Sequence, residues 1–317
     1  MQFDFTPKSG LLLIFFVHGL VFCFLLLKKG WQYQDKASLW LSLFVFLCAM
    51  YIAPFMLGYA GWYSDEPRRN IMFYVPFQQL LLIGPVIYFY TQNLLNKSFK
   101  ISKKDVLHFL PALAYFVYTL IVFVTDKIIL HQYYFYADGQ DKDLDPWYQV
   151  AGLVSMLVYL YLSLRYYALY KRIAFEVVSF ADSILFNWIQ RYLLALLLIS
   201  ALRVLFFILN PEWGEFGSKF WYYLCFSILF YYITISGYAN SVQSVIAVEA
   251  ALSDQEAPVQ AQEKEIKETT ELVNLPEWKD KIVQIMHAER LFENPNLTLT
   301  DVAEKLKTNP KQVSQIV

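Results

Sequence analysis

Seven stretches of the chain stay apolar for long enough to cross a membrane. They cover residues 11–27, 39–60, 72–95, 106–124, 147–170, 188–209 and 220–238. A helix rises about 1.5 Å per residue and the hydrocarbon layer is about 30 Å thick, so each run predicts one crossing. Lys28 and Lys29 follow the first run and no small-residue cleavage point closes it, which predicts an uncleaved span and not a secretory signal. Pro54, Pro76, Pro85 and Pro111 fall inside the runs; a proline there either sets packing geometry or marks a hinge beside a ligand.

The polar positions between the runs set an orientation. Lys28, Lys29 and Lys36 lie in the first connection, Lys97, Lys100, Lys103 and Lys104 in the third, and Lys171 and Arg172 in the fifth. The alternate connections are more acidic: Asp65 and Glu66 beside Arg68 and Arg69, then Asp138, Asp141, Asp143 and Asp145, then Glu212 and Glu215. Basic loops remain cytoplasmic. Seven crossings with the amino terminus outside then leave the carboxyl terminus inside, in a multi-pass protein of the inner (cell) membrane.

After the last run the pattern changes twice. Val242, Val245, Ile246 and Leu252 keep helical spacing, which predicts a helical extension into the cytoplasm; from Ser253 the chain turns acidic and polar around Pro258 and reads as a tether. An amphipathic helix follows over 275–291, with Trp278, Ile282, Ile285 and Met286 on its apolar side. Residues 298–317, TLTDVAEKLKTNPKQVSQIV, have helix-turn-helix spacing. Thr298 is placed to cap a helix with Asp301 as its capping-box-like partner. Val302, Ala303 and Leu306 form the buried stripe of that helix, the chain turns at Lys307 and Thr308, and Asn309 followed by Pro310 restarts a helix whose Val313 and Ile316 face inward. A small residue at Ala303 suits a steep helix crossing.

Composition agrees with the pattern. At 57% hydrophobic and 17% charged, the chain is that of a membrane protein. Its net charge of -1 gives no overall bias toward nucleic acid, so local charge matters. No Gly-rich phosphate loop, nucleophile elbow or paired-histidine helix occurs, and no enzyme is expected. His108, His131 and His287 lack metal-ligand spacing, so neither a metal nor a cofactor is expected. Asp141, Asp143 and Asp145 alternate as in a calcium loop, but Pro146 stands where glycine is needed and Gly152 where the bidentate glutamate belongs. Cys23, Cys48 and Cys225 all lie in spans and are expected to be reduced packing residues.

Polar residues inside the runs are the candidates for ligand binding, because hydrocarbon penalises them. Arg203 lies about two turns from the outer end of the sixth run and either faces the bundle or extends toward the headgroups. With Gln78 and Gln79 it would form an outward-open pocket for an acidic or amide-bearing ligand. His18 either joins a binding site or is a neutral imidazole between helices. The loop 125–146, with Tyr133, Tyr134, Phe135 and Tyr136 ahead of DGQDKDLD, is either a lid or an interfacial aromatic belt with a solvated acidic tail.

The segment WKDKIVQIMHAERLFENPNLTLTDVAEKL together with the helix-turn-helix resembles the start of the AraC-type DNA-binding domain, over about 275–317 and most specifically in NPNLTL and DVAEKL. It is most similar to bacterial regulators that attach that domain to a polytopic membrane region. Lys307 departs from the glycine preferred at the turn. The family uses two such motifs in tandem and this sequence ends inside the second helix of the first, so a truncated N-terminal part of the domain is expected.

The fold expected is all-α: a heptahelical transmembrane sensor bundle over 1–240, a helical extension and acidic linker over 241–274, and the partial AraC-like helix-turn-helix over 275–317. The function implied is a membrane-embedded transcription regulator that senses an extracellular, periplasmic or lipid signal and controls sequence-specific DNA binding. Lys311, Gln312, Ser314 and Gln315 would face the major groove. Its partners would be DNA, the lipid bilayer and a small-molecule or lipid ligand, and a homodimer would supply the two readers that paired half-sites require. The competing reading is a membrane sensor or transporter whose cytoplasmic tail binds a protein and not DNA.

Overall fold

The computed structural model describes residues 4–96, 99–177, 184–210, 217–256, 275–288 and 299–306. It is all-helical, with no strand among the described residues. Two compact units divide at Ala247 and Val248.

In the first unit, α1 (Pro7–Gln32) starts at a capping box in which the Thr6 amide donates to Ser9 Oγ at 2.9 Å and the Ser9 amide to Thr6 Oγ1 at 3.1 Å. Proline at the first helical position loses nothing, since its missing N–H would be unpaired there. Asp35 caps α2 (Lys36–Tyr59) through the Ala37 amide. After α3 (Glu66–Tyr74) and α4 (Leu80–Leu95) come α5 (Leu110–Phe123), α6 (Pro146–Val177), α7 (Ile184–Val204) and α8 (Lys219–Glu256). The extension of α8 beyond its apolar span, which ends at Ser241, matches the helical spacing of the sequence there.

Among the described residues, six helices are long and apolar enough to cross a membrane. Their surfaces say the same: along α5, Leu113, Phe116, Val117 and Leu120 are all exposed, a contiguous apolar face that water would penalise and lipid does not. The α2 span is 78% buried against 17% for α1, so α2 is the central post and α1 a peripheral one.

The run 72–95 is not one continuous helix. It breaks between Tyr74 and Leu80, where Pro76 removes a donor and forces its predecessor out of helical geometry. Pro54 and Pro85 do lie within helices, whereas Pro111 sits in the first turn of α5. Small residues let α4 and α6 approach closely: a Cβ on Gly152 would stand 2.5 Å from Leu80 Cβ, and one on Gly84 2.6 Å from the Tyr159 ring.

The second unit is described for α9 (Leu275–Ala288) and α10 (Leu299–Lys305). Ile282 of α9 is buried against Val302 and Ala303 of α10, with Met286 and Leu306 beside them. All five residues belong to the apolar stripes predicted for their helices, Ile282 and Met286 four apart on one and Val302, Ala303 and Leu306 on the other.

Gly152→Ala should destabilise the protein by about 1–3 kcal/mol, because Leu80 Cβ lies next to backbone that cannot yield cheaply. Gly10, with nothing within 4 Å of a Cβ, should tolerate alanine. Thermal melts of the two variants in detergent compare them directly.

Candidate functional site

Where the chain breaks between α3 and α4, backbone groups lose their helical partners inside an apolar bundle, and unmet donors and acceptors there are costly. Residues far along the chain supply the missing partners. The Gln78 amide donates to Asp143 Oδ2 at 3.0 Å. The Tyr148 hydroxyl accepts from the Leu80 amide at 3.0 Å and donates to the Gln78 carbonyl at 2.6 Å, so one side chain spans the gap. Tyr115 stacks on Tyr148, with ring centroids 3.7 Å apart, and donates to Asp143 Oδ1 at 2.6 Å.

Arg203 of α7 enters the same cluster. It is 5% exposed and turned inward, not toward headgroups. Its Nη2 donates to the Gln149 carbonyl at 2.8 Å and to Gln149 Oε1 at 2.7 Å. The Tyr51 ring lies 5.9 Å from the guanidinium carbon. Among the described residues no carboxylate lies within ion-pair distance of Arg203. The cation therefore sets the direction of the surrounding hydrogen bonds. Gln149 must face it with oxygen, so Gln149 Nε2 points away, to Gln78 Oε1 at 2.8 Å and the Asp143 carbonyl at 2.6 Å. Gln78 must then present its own Nε2 to the Tyr51 carbonyl and the Tyr223 hydroxyl, each at 3.3 Å. Beside Arg203 the bundle leaves a space of about 20 Å³ bordered by Tyr51 and Tyr222, room for one water and not for a larger ligand.

Of the four residues expected to line a ligand pocket, the structure joins two. Arg203 and Gln78 meet through Gln149. Gln79 turns back to its own segment, its Nε2 donating to the Pro76 carbonyl at 3.0 Å. His18 is elsewhere, between the rings of Phe22 and Tyr231 at centroid distances of 4.5 and 4.3 Å, and its Nε2 has no hydrogen-bond partner. Lys311, Gln312, Ser314 and Gln315 lie outside the described residues. Gln149 gives little sequence signal, because it stands one turn inside the start of an apolar run where amides are ordinary. Asp143 carries a clearer one: it lies within an acidic loop flanked by tyrosines, and such carboxylates find hydroxyl donors.

The acidic loop is not a solvated tail. Asp141 and Asp143 are buried, Asp141 accepting from the Tyr63 hydroxyl at 2.8 Å and from the Asp143 amide at 3.0 Å. The solvated reading holds for Asp138, Gly139 and Gln140, which are exposed, Asp138 pairing with the half-buried Lys142 at 3.0 Å. Of the aromatic cluster, Tyr136 folds inward and Tyr133 and Phe135 are half-buried, whereas Tyr134 stays exposed. Tyr136 stacks on Phe73 with centroids 4.5 Å apart and donates to its carbonyl. Asp126 is fully buried, accepting from the Tyr74 hydroxyl at 3.0 Å and the Phe135 amide at 3.2 Å. The loop is thus a cap packed on α3 and on the helix break.

Burial holds both loop carboxyl groups above the ordinary carboxylate range, and for Asp141 the adjacent Asp143 adds repulsion. Tyrosine and amide donors oppose that rise without cancelling it.

Comparison with protein-family models, with curated proteins and with solved structures finds no match.

Two outcomes follow from this cluster. Gln149→Leu strips one charged hydrogen bond from Arg203 and should cost about 1–3 kcal/mol, read as a lowered unfolding midpoint in detergent. A carboxyl whose folded pKa is raised contributes stability below its unfolded value and loses it as pH climbs through the raised one. The cap should therefore be tighter near about pH 5 than near about pH 8, a difference that Asp141→Asn should reduce; amide exchange of the loop measures it.

Proposed function

We propose that this chain is a membrane-embedded transcription regulator. In this reading a bundle of seven spans, with the broken α3–α4 segment as the third, receives a signal on the outer side, and a cytoplasmic AraC-like helix-turn-helix engages DNA in response. The observation that carries the proposal is the packing of α9 on α10. Ala303 is 1% exposed and sits with Val302 against Ile282, the packing of the preceding amphipathic helix on the motif's first helix that the sequence predicts; the motif's second helix lies outside the described residues. Six apolar helices of spanning length among the described residues support the attachment of that motif to a membrane.

The amino terminus outside and the carboxyl terminus inside follow from the lysine-rich connections. This orientation puts the Arg203 cluster and its cap on the outer side and the helix pair on the side of the chromosome. Lys311, Gln312, Ser314 and Gln315 are the residues assigned to base and phosphate contact.

The test is selection of random duplex DNA by the full-length native protein in nanodiscs. Enrichment of a shared sequence is expected, and Gln312→Ala should relax preference at one base position by about 1–3 kcal/mol. Lys311→Ala should weaken all sequences alike if Lys311 contacts phosphate. Absence of any sequence preference would remove the DNA reading and leave a tail that binds a protein.

A further inference from the structure

A second cavity in the first unit lies away from Arg203. A groove of about 620 Å³ runs between α3 and α5, floored by Ile71, Tyr74 and Pro76 and walled by Phe116, Leu120 and Phe123. That volume falls within the range of ligand sites, roughly 300–1,000 Å³. Phe116 and Leu120 are 51% and 52% exposed on the helix face that meets lipid, so the groove opens sideways toward the acyl chains.

Its chemistry is divided end to end. The long wall is hydrocarbon and aromatic carbon. Asn70 and Lys127 meet at one end beside Tyr133, while Val75 and Thr119, whose hydroxyl donates to the Phe116 carbonyl at 2.8 Å, complete the lining. The Lys127 ammonium rests 4.3 Å from the centre of the Tyr133 ring and 5.2 Å from that of Tyr74. The Arg69 guanidinium lies 5.8 Å from the same Tyr133 ring. Neither cation is ion-paired among the described residues. The acid next in sequence to Lys127, Asp126, is fully buried and bonded to Tyr74 and Phe135. Asn70 uses its oxygen for the Tyr133 hydroxyl at 2.5 Å, which leaves its amide hydrogens to donate. A lining cation, Lys127, a second cation, Arg69, beside it on the same Tyr133 ring, and an amide donor at the polar end of an apolar slot match a molecule with one greasy chain and one negative head.

We infer that the α3–α5 groove binds a single-chain anionic amphiphile drawn sideways from the membrane, its chain along Phe116 and Leu120 and its head at Lys127, Arg69 and Asn70. The site touches the cap directly, because Tyr74 lines the groove and also bonds Asp126, and Tyr133 bridges Asn70 to both cations. An occupied groove therefore bears on the segment that leads into the helix break. The inference names a chemical class for the signal in the regulator reading and rests on that reading for its consequence; the binding itself is measured without DNA.

The experiment uses the full-length protein in phosphatidylcholine nanodiscs, with oleate as the probe and oleyl alcohol, the same chain without the charge, as its control. Expected is saturable binding of oleate at one site per chain, about tenfold weaker for the alcohol and about tenfold weaker in the R69Q/K127Q double variant. Leu120→Trp should fill the slot and abolish binding while the unfolding midpoint holds, since residue 120 faces lipid; Thr119→Phe is the second plug if that variant fails to fold. Equal binding of the alcohol, unsaturable partitioning, or full binding by the plugged protein would overturn the site. Any of these leaves DNA selection untouched, and a failed DNA selection leaves oleate binding untouched.

Discussion

A guanidinium inside an apolar bundle is the constraint on which the region around the α3–α4 break depends. Arg203 cannot shed its proton and has no carboxylate to neutralise it among the described residues, so its surroundings must offer oxygen. Gln149 does so with both its carbonyl and its side chain, and Gln78 is oriented in turn. From Gln78 the same network reaches the backbone of the helix break and the buried carboxylate of Asp143. Hydrogen bonds to a charge are worth about 1.5–3 kcal/mol each, enough to fix amide directions that neutral partners would leave ambiguous.

The tyrosines make that arrangement affordable in a membrane. Tyr51 sets its ring 5.9 Å from the cation, and its hydroxyl pairs with that of Tyr222 at 3.2 Å. Tyr115 and Tyr148 stack against each other while each directs its hydroxyl to the break or to Asp143. A ring buries apolar area and its hydroxyl settles one polar group, so each tyrosine serves packing and polarity together. In the proposed regulator this cluster is the part of the bundle best able to register a change outside, because Tyr222 and Tyr223 lie in the first turns of α8, which continues as one helix from Lys219 to Glu256.

Much of the architecture was legible from periodicity and length. Long apolar runs became long helices, the spacing of Val242 to Leu252 foretold the extension of α8, and the stripe of Ile282, Val302 and Ala303 foretold the α9–α10 contact. The break at Pro76 was harder to see, because a proline in a membrane run more often bends a helix than ends one. Arg203 and Gln78 were visible as polar residues in hydrocarbon, while Gln79 beside Gln78 looked identical and does something local. The acidic loop misled for a plain reason. Alternating aspartates suggest solvent, and only the distant hydroxyls of Tyr63 and Tyr115 bury them, partners that no local pattern reveals.

The helix break carries a consequence for how the chain enters the bilayer during synthesis. Its polar backbone is satisfied by residues 65 to 70 positions further on, Asp143 for the Gln78 amide and Tyr148 for the Leu80 amide and the Gln78 carbonyl. When α3 and α4 leave the ribosome those partners do not yet exist. The translocon must therefore shelter an unfinished segment until α6 arrives, and the amino-terminal helices cannot settle as an independent insertion unit.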